Sequence, residues 1–266
     1  MAESGAAARR IDRLDLGPRF TAADAARLNE RFGDTSAAEM LRVVLGERLA
    51  GELAVVSSFG AESAVLLHLI AQADPAVPVL FLETHKHFEE TLAYRDELVA
   101  HLGLTNLLVI EPDPARIAER DGTGLRWSWD PDGCCEIRKV EPLARALAGF
   151  DASVTGRKGF QSQTRRNLPR FELDRSDAQG RLKINPLASW SADDLSTYFN
   201  ARGLPAHPLV GMGYPSIGCS PCTHKVTPGE DPRSGRWKGW DKTECGIHQP
   251  AGKDDGELPP GYEPVF

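Results

Sequence analysis

The run Leu53-Ala-Val-Val-Ser57-Ser58-Phe59-Gly60-Ala61-Glu62-Ser63 passes from a short apolar segment, through a turn of hydroxyl and glycine residues, into a helical pattern. That pattern covers Glu62–Ala73 and places leucine and isoleucine residues on its inward face. A short apolar segment that leads into a helix, and is followed by more such pairs, is typical of a parallel sheet covered on both faces. The run therefore predicts an α/β protein.

The same alternation of apolar and helical segments continues along the chain. Thr21, Ser36 and Ser191 each precede an acidic residue by three positions, which is the spacing of a capping box at a helix start. These segments together predict a doubly wound, mostly parallel sheet. The further strand candidates are Val77–Leu82, Leu107–Ile110, Ala152–Thr155 and Leu182–Pro186, and the further helices are Phe88–Leu102 and those that end at Gly51 and Gly203.

Polar residues follow the predicted strands at the edge where such sheets bind ligands. The turn Ser57-Ser58-Phe59-Gly60 can offer backbone N–H groups and a helix start to a phosphate, although no Gly-Lys-Ser/Thr of a Walker loop follows. Glu83-Thr84 is either a helix cap or a ribose or base contact. Arg157-Lys158 is either a solvated pair or an anion contact.

The composition excludes several classes of protein. A formal net charge of −7 does not support a general nucleic-acid surface, although basic residues cluster locally, as a small anionic ligand would need. No stretch approaches the roughly 18 apolar residues of a membrane helix, and the first residues lack the pattern of a signal peptide. We therefore expect a cytoplasmic protein. The sequence leaves the oligomeric state open, with a homo-oligomer as one option.

The pattern divides the chain into three parts. Residues 1–20 are rich in Ala and Arg without a clear period and predict a poorly ordered start. Residues 21–203 carry the predicted nucleotide-binding domain, in which the polar stretch around Arg165 is either an anion-contacting loop or a surface loop. Residues 204–266 are dense in Gly and Pro, so packing on the main domain or a metal must hold them.

Five cysteines fall into two pairs and a single residue. Cys219 and Cys222 have the two-residue spacing that lets two thiolates bind one metal centre. Cys134 and Cys135 are adjacent, so both can reach one centre only where the backbone turns or a helix starts. By count, four thiolates fit zinc or a [4Fe-4S] cluster equally, and unligated buried cysteines are the further alternative.

Cys245 differs from the other four cysteines in its surroundings. Lys242 and His248 flank it, and Arg233 and Arg236 lie a short way upstream. Nearby cations lower the pKa of a thiol and increase its thiolate fraction. We therefore interpret Cys245 as a nucleophile, with an inert buried cysteine as the alternative.

These motifs, in this order, resemble the iron–sulfur branch of the phosphoadenylylsulfate and adenylylsulfate (APS) reductase family. The resemblance covers about residues 35–250. In place of the family's usual Leu-Asp-Thr-Gly, the second strand ends here in Leu82-Glu83-Thr84-His85. The matching elements are Ser57-Ser-Phe-Gly-Ala-Glu62, Cys134-Cys-Glu-Ile-Arg-Lys139, Thr155-Gly-Arg157, Asn185-Pro-Leu187, Gly213-Tyr-Pro-Ser-Ile-Gly-Cys-Ser-Pro-Cys-Thr223, Arg233-Ser-Gly-Arg236-Trp237 and Lys242-Thr-Glu-Cys-Gly-Ile-His248.

The resemblance implies an adenine nucleotide alpha hydrolase-like fold that binds APS along the strand ends. It also implies a [4Fe-4S] cluster on the two cysteine pairs and a C-terminal segment that delivers Cys245. The implied ligands of the cluster are Cys134, Cys135, Cys219 and Cys222. The implied phosphosulfate contacts are Lys139, Arg233 and Arg236, with Arg157 and Arg165 as further candidates and His248 in a supporting role.

The resemblance further implies the reaction and the partner. Attack of Cys245 on the sulfur of APS would expel AMP and leave an S-sulfocysteine, from which thioredoxin would release sulfite. Cations are needed because the phosphosulfate repels a thiolate. Two alternatives remain at this point: a substrate with a 3′-phosphate (PAPS), and a zinc-stabilised nucleotide-binding or tRNA-modifying protein of related fold.

Overall fold

The computed structural model describes residues 18–161, 165–242 and 244–248, and its centre is a six-stranded sheet. The strand order is β3-β2-β1-β4-β6-β5, and every neighbouring pair is parallel except β5 with β6. The predicted fold class is therefore confirmed. The strands are β1 (Leu53–Val56), β2 (Val79–Leu82), β3 (Leu107–Ile110), β4 (Ala152–Thr155), β5 (Phe171–Leu173) and β6 (Leu182–Ile184).

Helices connect the parallel strands. The hydroxyls of Thr21, Ser36 and Ser191 accept the backbone N–H three residues ahead, which confirms the predicted helix starts. Two helices end earlier than predicted: α2 ends five residues before Gly51, and α8 ends two residues before Gly203. The helices are α1 (Ala22–Arg31), α2 (Ala37–Gly46), α3 (Ser63–Ala73), α4 (Glu89–Leu102), α5 (Pro114–Arg120), α6 (Pro131–Cys135), α7 (Glu141–Leu147), α8 (Ala192–Ala201) and α9 (Pro208–Gly211).

The core forms where the strands meet the helices. β2 is buried along its whole length, and α3 buries almost every apolar residue it has. A strand covered on both faces needs no polar alternation, which is why these segments are continuously apolar in sequence. The rigid core fixes the carboxyl ends of β1, β2 and β4 next to one another.

Two parts of the fold go beyond the elements that the sequence predicts. β5 is a three-residue edge strand that pairs antiparallel with β6. Residues 131–147 form a nearly continuous helical stretch, in which a π-helical turn, Glu136–Val140, joins α6 to α7. π-Helical turns often occur at functional sites. Here the turn follows the adjacent cysteines directly.

The ends of the chain are described only in part. Residues 1–17, most of the predicted poorly ordered start, lie outside the described residues, while the backbone N–H groups of Arg19 and Phe20 donate to the carbonyls of Gln179 and Gly180 at 2.9 and 3.2 Å. Beyond α9 the described chain contains only short 3-10 turns and an isolated bridge between Thr223 and Arg236. Within the described residues, every helix is too short or too polar to span a bilayer.

Candidate active site

A cavity of about 510 Å³ lies at the carboxyl ends of β1, β2 and β4. The turn after β1 and the residues after β4 form one wall, and the C-terminal segment forms the other. This is the edge at which parallel α/β sheets bind ligands. The lining includes Ser57, Ser58, Gly60, Lys139, Arg157, Arg165, Arg233, Arg236 and Cys245 from the predicted site residues.

The turn after β1 is shaped by its own hydrogen bond. The hydroxyl of Ser57 accepts the backbone N–H of Phe59 at 3.2 Å, and Phe59 has a left-handed backbone with φ of 49°. Phe59 is fully buried against Phe81, with 5.6 Å between ring centroids, and does not line the cavity. At Gly60 the turn approaches the C-terminal segment closely, since a Cβ there would lie 3.2 Å from the carbonyl oxygen of Ile217.

Glu83 and Thr84, predicted as nucleotide contacts, lie outside the cavity lining. The Glu83 carboxylate accepts the backbone N–H of His85 at 2.7 Å. The Thr84 hydroxyl is buried and lies 3.3 Å from Cys219 Sγ. The structure therefore places Thr84 beside a cysteine, whereas Glu83 shapes the local backbone after β2.

Arg157 and Lys158 extend from the end of β4, and both line the cavity. Arg157 pairs with Glu172 and also donates to Asn185 Oδ1 at 3.1 Å. Lys158 is buried, and its ammonium lies 2.7 Å from Glu62 Oε2. Burial lowers the pKa of Lys158, although the Glu62 carboxylate opposes that change. Both cations are thus held in place before any ligand binds.

Lys139 and Arg236 lie between the cavity and the four paired cysteines, since both residues line each region. The Arg236 guanidinium stacks on Trp237, 4.5 Å from the ring centroid, and donates to the carbonyl of Ile217 at 3.3 Å. Its Nε atom is buried without a hydrogen-bond partner among the described residues. A buried donor of this kind is costly unless a ligand accepts from it.

The Lys139 ammonium lies close to the single cysteine, with 3.8 Å between Lys139 Nζ and Cys245 Sγ. Burial opposes the charge of Lys139, but the neighbouring cysteines Cys219, Cys245 and Cys135 together raise its pKa well above the ordinary value. Lys139 therefore remains an ammonium in this site. A positive charge at this place favours both a thiolate and an anionic ligand.

Two further arginines meet an acidic residue beside the nucleophile. Arg165 pairs with Glu244 and donates to Gln161 Oε1 at 2.7 Å. Arg233 lies 4.0 Å from the same Glu244 carboxylate. Glu244 therefore ties the residues after β4 to the C-terminal segment. It also neutralises part of the positive charge that would otherwise face the cavity.

The Cys245 thiol has a pKa well below its ordinary value. The largest cause is a hydrogen bond from the Cys135 thiol, and Lys139, the backbone N–H of Ile247 and Arg236 add to it against the opposing effect of burial. A metal-bound Cys135 would be a thiolate without a proton to donate. In that state the two cations and the Ile247 N–H would still favour the Cys245 thiolate.

The four paired cysteines line one cavity behind Lys139. Three are buried and Cys222 is half-buried. Burial, and then the charge of Cys219, raises the pKa of Cys134 to about 12 and also raises that of Cys222. Thiols that are this close and this buried are stabilised as thiolates when they bind metal.

The helix start at residue 131 explains how adjacent cysteines reach one cavity. The carboxylate of Asp130 caps α6 by accepting the backbone N–H of Gly133 at 2.8 Å. Arg138, in the π-helical turn, is buried against Asp121 and donates to the carbonyl of Thr84 at 2.8 Å. Among the described residues, no three His, Cys, Asp or Glu side chains converge as ligands of a single metal ion. The fit of a metal centre therefore rests on four thiols that share one cavity.

Several cavity residues were not predicted from the sequence. Glu62, Trp237, Glu244 and Ile247 line the cavity and lie in the matching motifs, but none of them was assigned a role from the sequence. His87 also lines the cavity and lies outside those motifs. Glu244 is adjacent to Cys245, but its pairing with Arg165 depends on the folded chain. The side chain of His248, and residues 162–164 and 243, lie outside what the structure describes, so the predicted role of His248 stays a prediction.

Comparison with known proteins identifies the family. Residues 52–225 match the family model described as the phosphoadenosine phosphosulfate reductase domain. The adenosine 5′-phosphosulfate reductase of Mesorhizobium japonicum is 52% identical over 240 residues, which cover 90% of this chain and 93% of that protein. A Chelativorans protein of the same name is 50% identical over 229 residues, covering 85% and 91%.

A solved structure leads to the same family. The phosphate complex of phosphoadenylyl-sulfate (PAPS) reductase from Candida auris superposes with a TM-score of 0.64 at 26% sequence identity. The similarity covers 78% of this chain and 98% of that chain. The chain belongs to the phosphoadenosine phosphosulfate reductase family.

Proposed function

We propose that the protein reduces adenylylsulfate to sulfite and AMP, with Cys245 as the nucleophile and thioredoxin as the electron donor. The observation that carries this proposal is the Cys245 thiol in the cavity, 3.8 Å from the Lys139 ammonium. The two relatives at 50% identity or more that carry the name adenosine 5′-phosphosulfate reductase support the choice of substrate.

In the first step, the Cys245 thiolate attacks the sulfur of the phosphosulfate group. An S–S bond forms, the S–O bond to the phosphate breaks, and AMP leaves with the electron pair of that bond. The negative charge on the substrate would repel the thiolate, and Lys139 and Arg236 offset this repulsion. The buried Arg236 Nε has no hydrogen-bond partner among the described residues, and it can donate to a substrate oxygen.

In the second step, a thioredoxin thiolate attacks the Cys245 sulfur of the S-sulfocysteine. Sulfite leaves with the electron pair of the S–S bond, and a mixed disulfide joins the two proteins. The second thioredoxin thiol then resolves this disulfide, which restores Cys245 and leaves thioredoxin oxidised by two electrons. We place the reaction in the cytoplasm, where thiols are kept reduced.

The two parts of the chain have separate tasks in this proposal. Residues 21–203 bind the nucleotide, and the segment from residue 204 delivers Cys245. Ser57, Ser58 and Gly60 would bind phosphate through the turn after β1. Arg157, Arg165 and Arg233 would add positive charge around the phosphosulfate group.

We further propose that Cys134, Cys135, Cys219 and Cys222 hold a [4Fe-4S] cluster. When bound, it would join the C-terminal segment to α6 and add local charge close to Lys139. The donor set supports this choice, since four buried thiolates suit iron–sulfur chemistry. Zinc remains the alternative by ligand count.

The proposed reaction and its substrate can be tested by measuring the products. Protein purified without oxygen would receive reduced thioredoxin and either APS or PAPS, and sulfite and AMP would be measured. We expect release of both products, with a higher kcat/KM for APS. A higher value for PAPS would move the protein to the other substrate, and absence of sulfite with both would contradict the proposal.

Two serine variants distinguish the metal ligands from the nucleophile. Cys222→Ser should lose iron and visible absorption, whereas Cys245→Ser should keep both and lose only sulfite production. Zinc instead of iron in the wild-type protein would contradict the cluster. Loss of iron in Cys245→Ser would contradict the division of roles among the cysteines.

A further inference from the structure

His87 lies in the loop after β2 and lines the same cavity as Cys245. Its ring packs on Phe81 with 4.9 Å between centroids, and its Nε2 atom lies 2.8 Å from the carbonyl oxygen of Leu82. A carbonyl only accepts hydrogen bonds, so Nε2 carries the proton of the neutral ring. The ring is thus fixed in both orientation and tautomer.

The other ring nitrogen, Nδ1, is then an acceptor. Burial lowers the pKa of His87, more than its bond to Leu82 raises it, so the ring is neutral at pH 7. Nδ1 is buried and has no hydrogen-bond partner among the described residues. A buried acceptor in a binding cavity selects ligands that bring a donor to it, because an analogue without the donor leaves it unsatisfied.

The substrate proposed above carries donors only on its nucleoside half. The phosphate and sulfate oxygens are acceptors and suit Lys139 and Arg236 instead. Part of the apolar lining lies beside the turn after β1, where Val56 and Leu82 end their strands and Leu66 of α3 lies next to them, and this part suits a flat purine. His87 lines the cavity beside Leu82, whose carbonyl oxygen holds the ring through Nε2.

We propose that His87 Nδ1 accepts a hydrogen bond from the 6-amino group of adenine and thereby selects adenine over other purines. This inference rests on the proposed function and deepens it by assigning a residue to base specificity. His87 acts here as a binding residue and takes no part in the transfer of sulfur.

The first test uses the wild-type holoprotein and three nucleotides. Calorimetry would give the Kd of AMP, of inosine 5′-monophosphate, which has an oxygen in place of the amino group, and of purine riboside 5′-monophosphate, which has hydrogen there. We expect both analogues to bind about 10- to 100-fold more weakly than AMP. Equal affinity for all three nucleotides would overturn the inference.

The second test assigns the preference to His87. In His87→Leu the preference for AMP over purine riboside monophosphate should fall to within about threefold, whereas His87→Asn keeps an oxygen acceptor near the place of Nδ1 and should keep part of it. A preference unchanged in His87→Leu would overturn the assignment. The iron content and circular dichroism of both variants report whether they fold.

Two further outcomes have distinct meanings. If 2′-deoxy-AMP or 3′-deoxy-AMP loses affinity in the wild type but not in His87→Leu, the partner of Nδ1 is a ribose hydroxyl, which overturns the adenine assignment. A wild-type protein that binds none of the nucleotides would overturn the proposed function itself. Binding is measured without turnover, so failure of the inference and failure of the function are distinguishable.

Discussion

The two walls of the cavity are held in different ways. The strand-end wall, residues 57–62 and 155–158, continues from β1 and β4, whose backbones are paired in the sheet. The C-terminal wall, residues 215–218, 231–237 and 244–247, has little regular structure and is held by side chains from distant parts of the chain. The first wall is thus specified locally, whereas the second depends on ion pairs, buried thiols and close approaches of glycine.

The two walls suit different tasks, one in substrate binding and the other in the reaction. The strand-end wall offers backbone groups and a preformed turn, which suit the unreactive part of a substrate. The C-terminal wall carries Cys245 and Arg236 and can change its contacts without disturbing the sheet. Changes in the C-terminal wall should therefore reduce turnover more than folding, and the following variants test that expectation.

Arg236→Met should have the largest effect on turnover. It removes a preorganised donor from the place where the substrate's negative charge would lie, and such losses cost about 100- to 1000-fold in kcat. Steady-state sulfite release would measure it. Arg42→Met removes an exposed arginine far from the cavity and serves as the control. A loss below about tenfold would show that Arg236 is not one of the principal cations.

Gly218→Ala should displace Arg236 while leaving the fold intact. An added Cβ would lie 2.6 Å from Arg236 Cζ, and the guanidinium is the flexible end of a long side chain. We expect kcat/KM to fall about 10- to 100-fold with an almost unchanged melting temperature. Gly211→Ala is the matched control, because a Cβ at Gly211 meets no atom within 4 Å. Wild-type activity in Gly218→Ala would contradict the close approach of Arg236.

Glu244→Gln should change binding and turnover in opposite directions. It removes the negative charge that pairs with Arg165, so the cavity gains positive charge and AMP should bind about three- to tenfold more tightly at low salt. The value of kcat should fall because Cys245 loses a neighbouring anchor. Glu47→Gln, an exposed site, controls for the change in net charge. Weaker AMP binding would mean that Glu244 chiefly positions the arginines.

His207→Asn should have the smallest effect, and on stability alone. His207 caps α9 and lies 3.0 Å from Thr91 of α4, and burial lowers its pKa from 6.5 to about 4. As the pH falls below about 6.5, this histidine therefore takes up a proton in the unfolded chain before it does so in the folded protein. The free energy of unfolding then falls by about 1.4 kcal/mol per pH unit down to about pH 4.

Urea unfolding at pH 7.5 and pH 5 would measure this effect. Wild type should be the more stable protein at pH 7.5, and its advantage over His207→Asn should shrink at pH 5. His101→Asn, at an exposed site on α4, controls for the loss of a histidine. An advantage that is the same at both pH values would contradict the buried neutral ring.

The two walls also differ in how far the sequence predicts them. The apolar runs of β1 to β4 and the serine and threonine caps are local signals, and the structure confirms them to within one or two residues. β5 was missed because a three-residue edge strand has too few residues for a pattern. The extent of α2 was overestimated because Gly51 ends the turn after the helix rather than the helix itself.

The sequence predicts only some of the residues that line the cavity, because only some of them belong to local patterns. Cysteine spacing and clustered arginines are visible in sequence, so most predicted residues line the cavity. Pairings such as Arg165 with Glu244, and the fixed ring of His87, depend on contacts between distant segments. Glu83 and Thr84 follow a strand as ligand contacts do, yet Thr84 lies against Cys219 and Glu83 accepts the backbone N–H of His85 instead.

The most direct test of the account is the intact mass of the protein after it is mixed with APS in the absence of any thiol. Wild type should gain one sulfonate group, Cys245→Ser should gain none, and reduced thioredoxin should remove the group with release of sulfite. If wild type with its metal centre intact gains no sulfonate from APS, Cys245 does not act as the proposed nucleophile on this substrate.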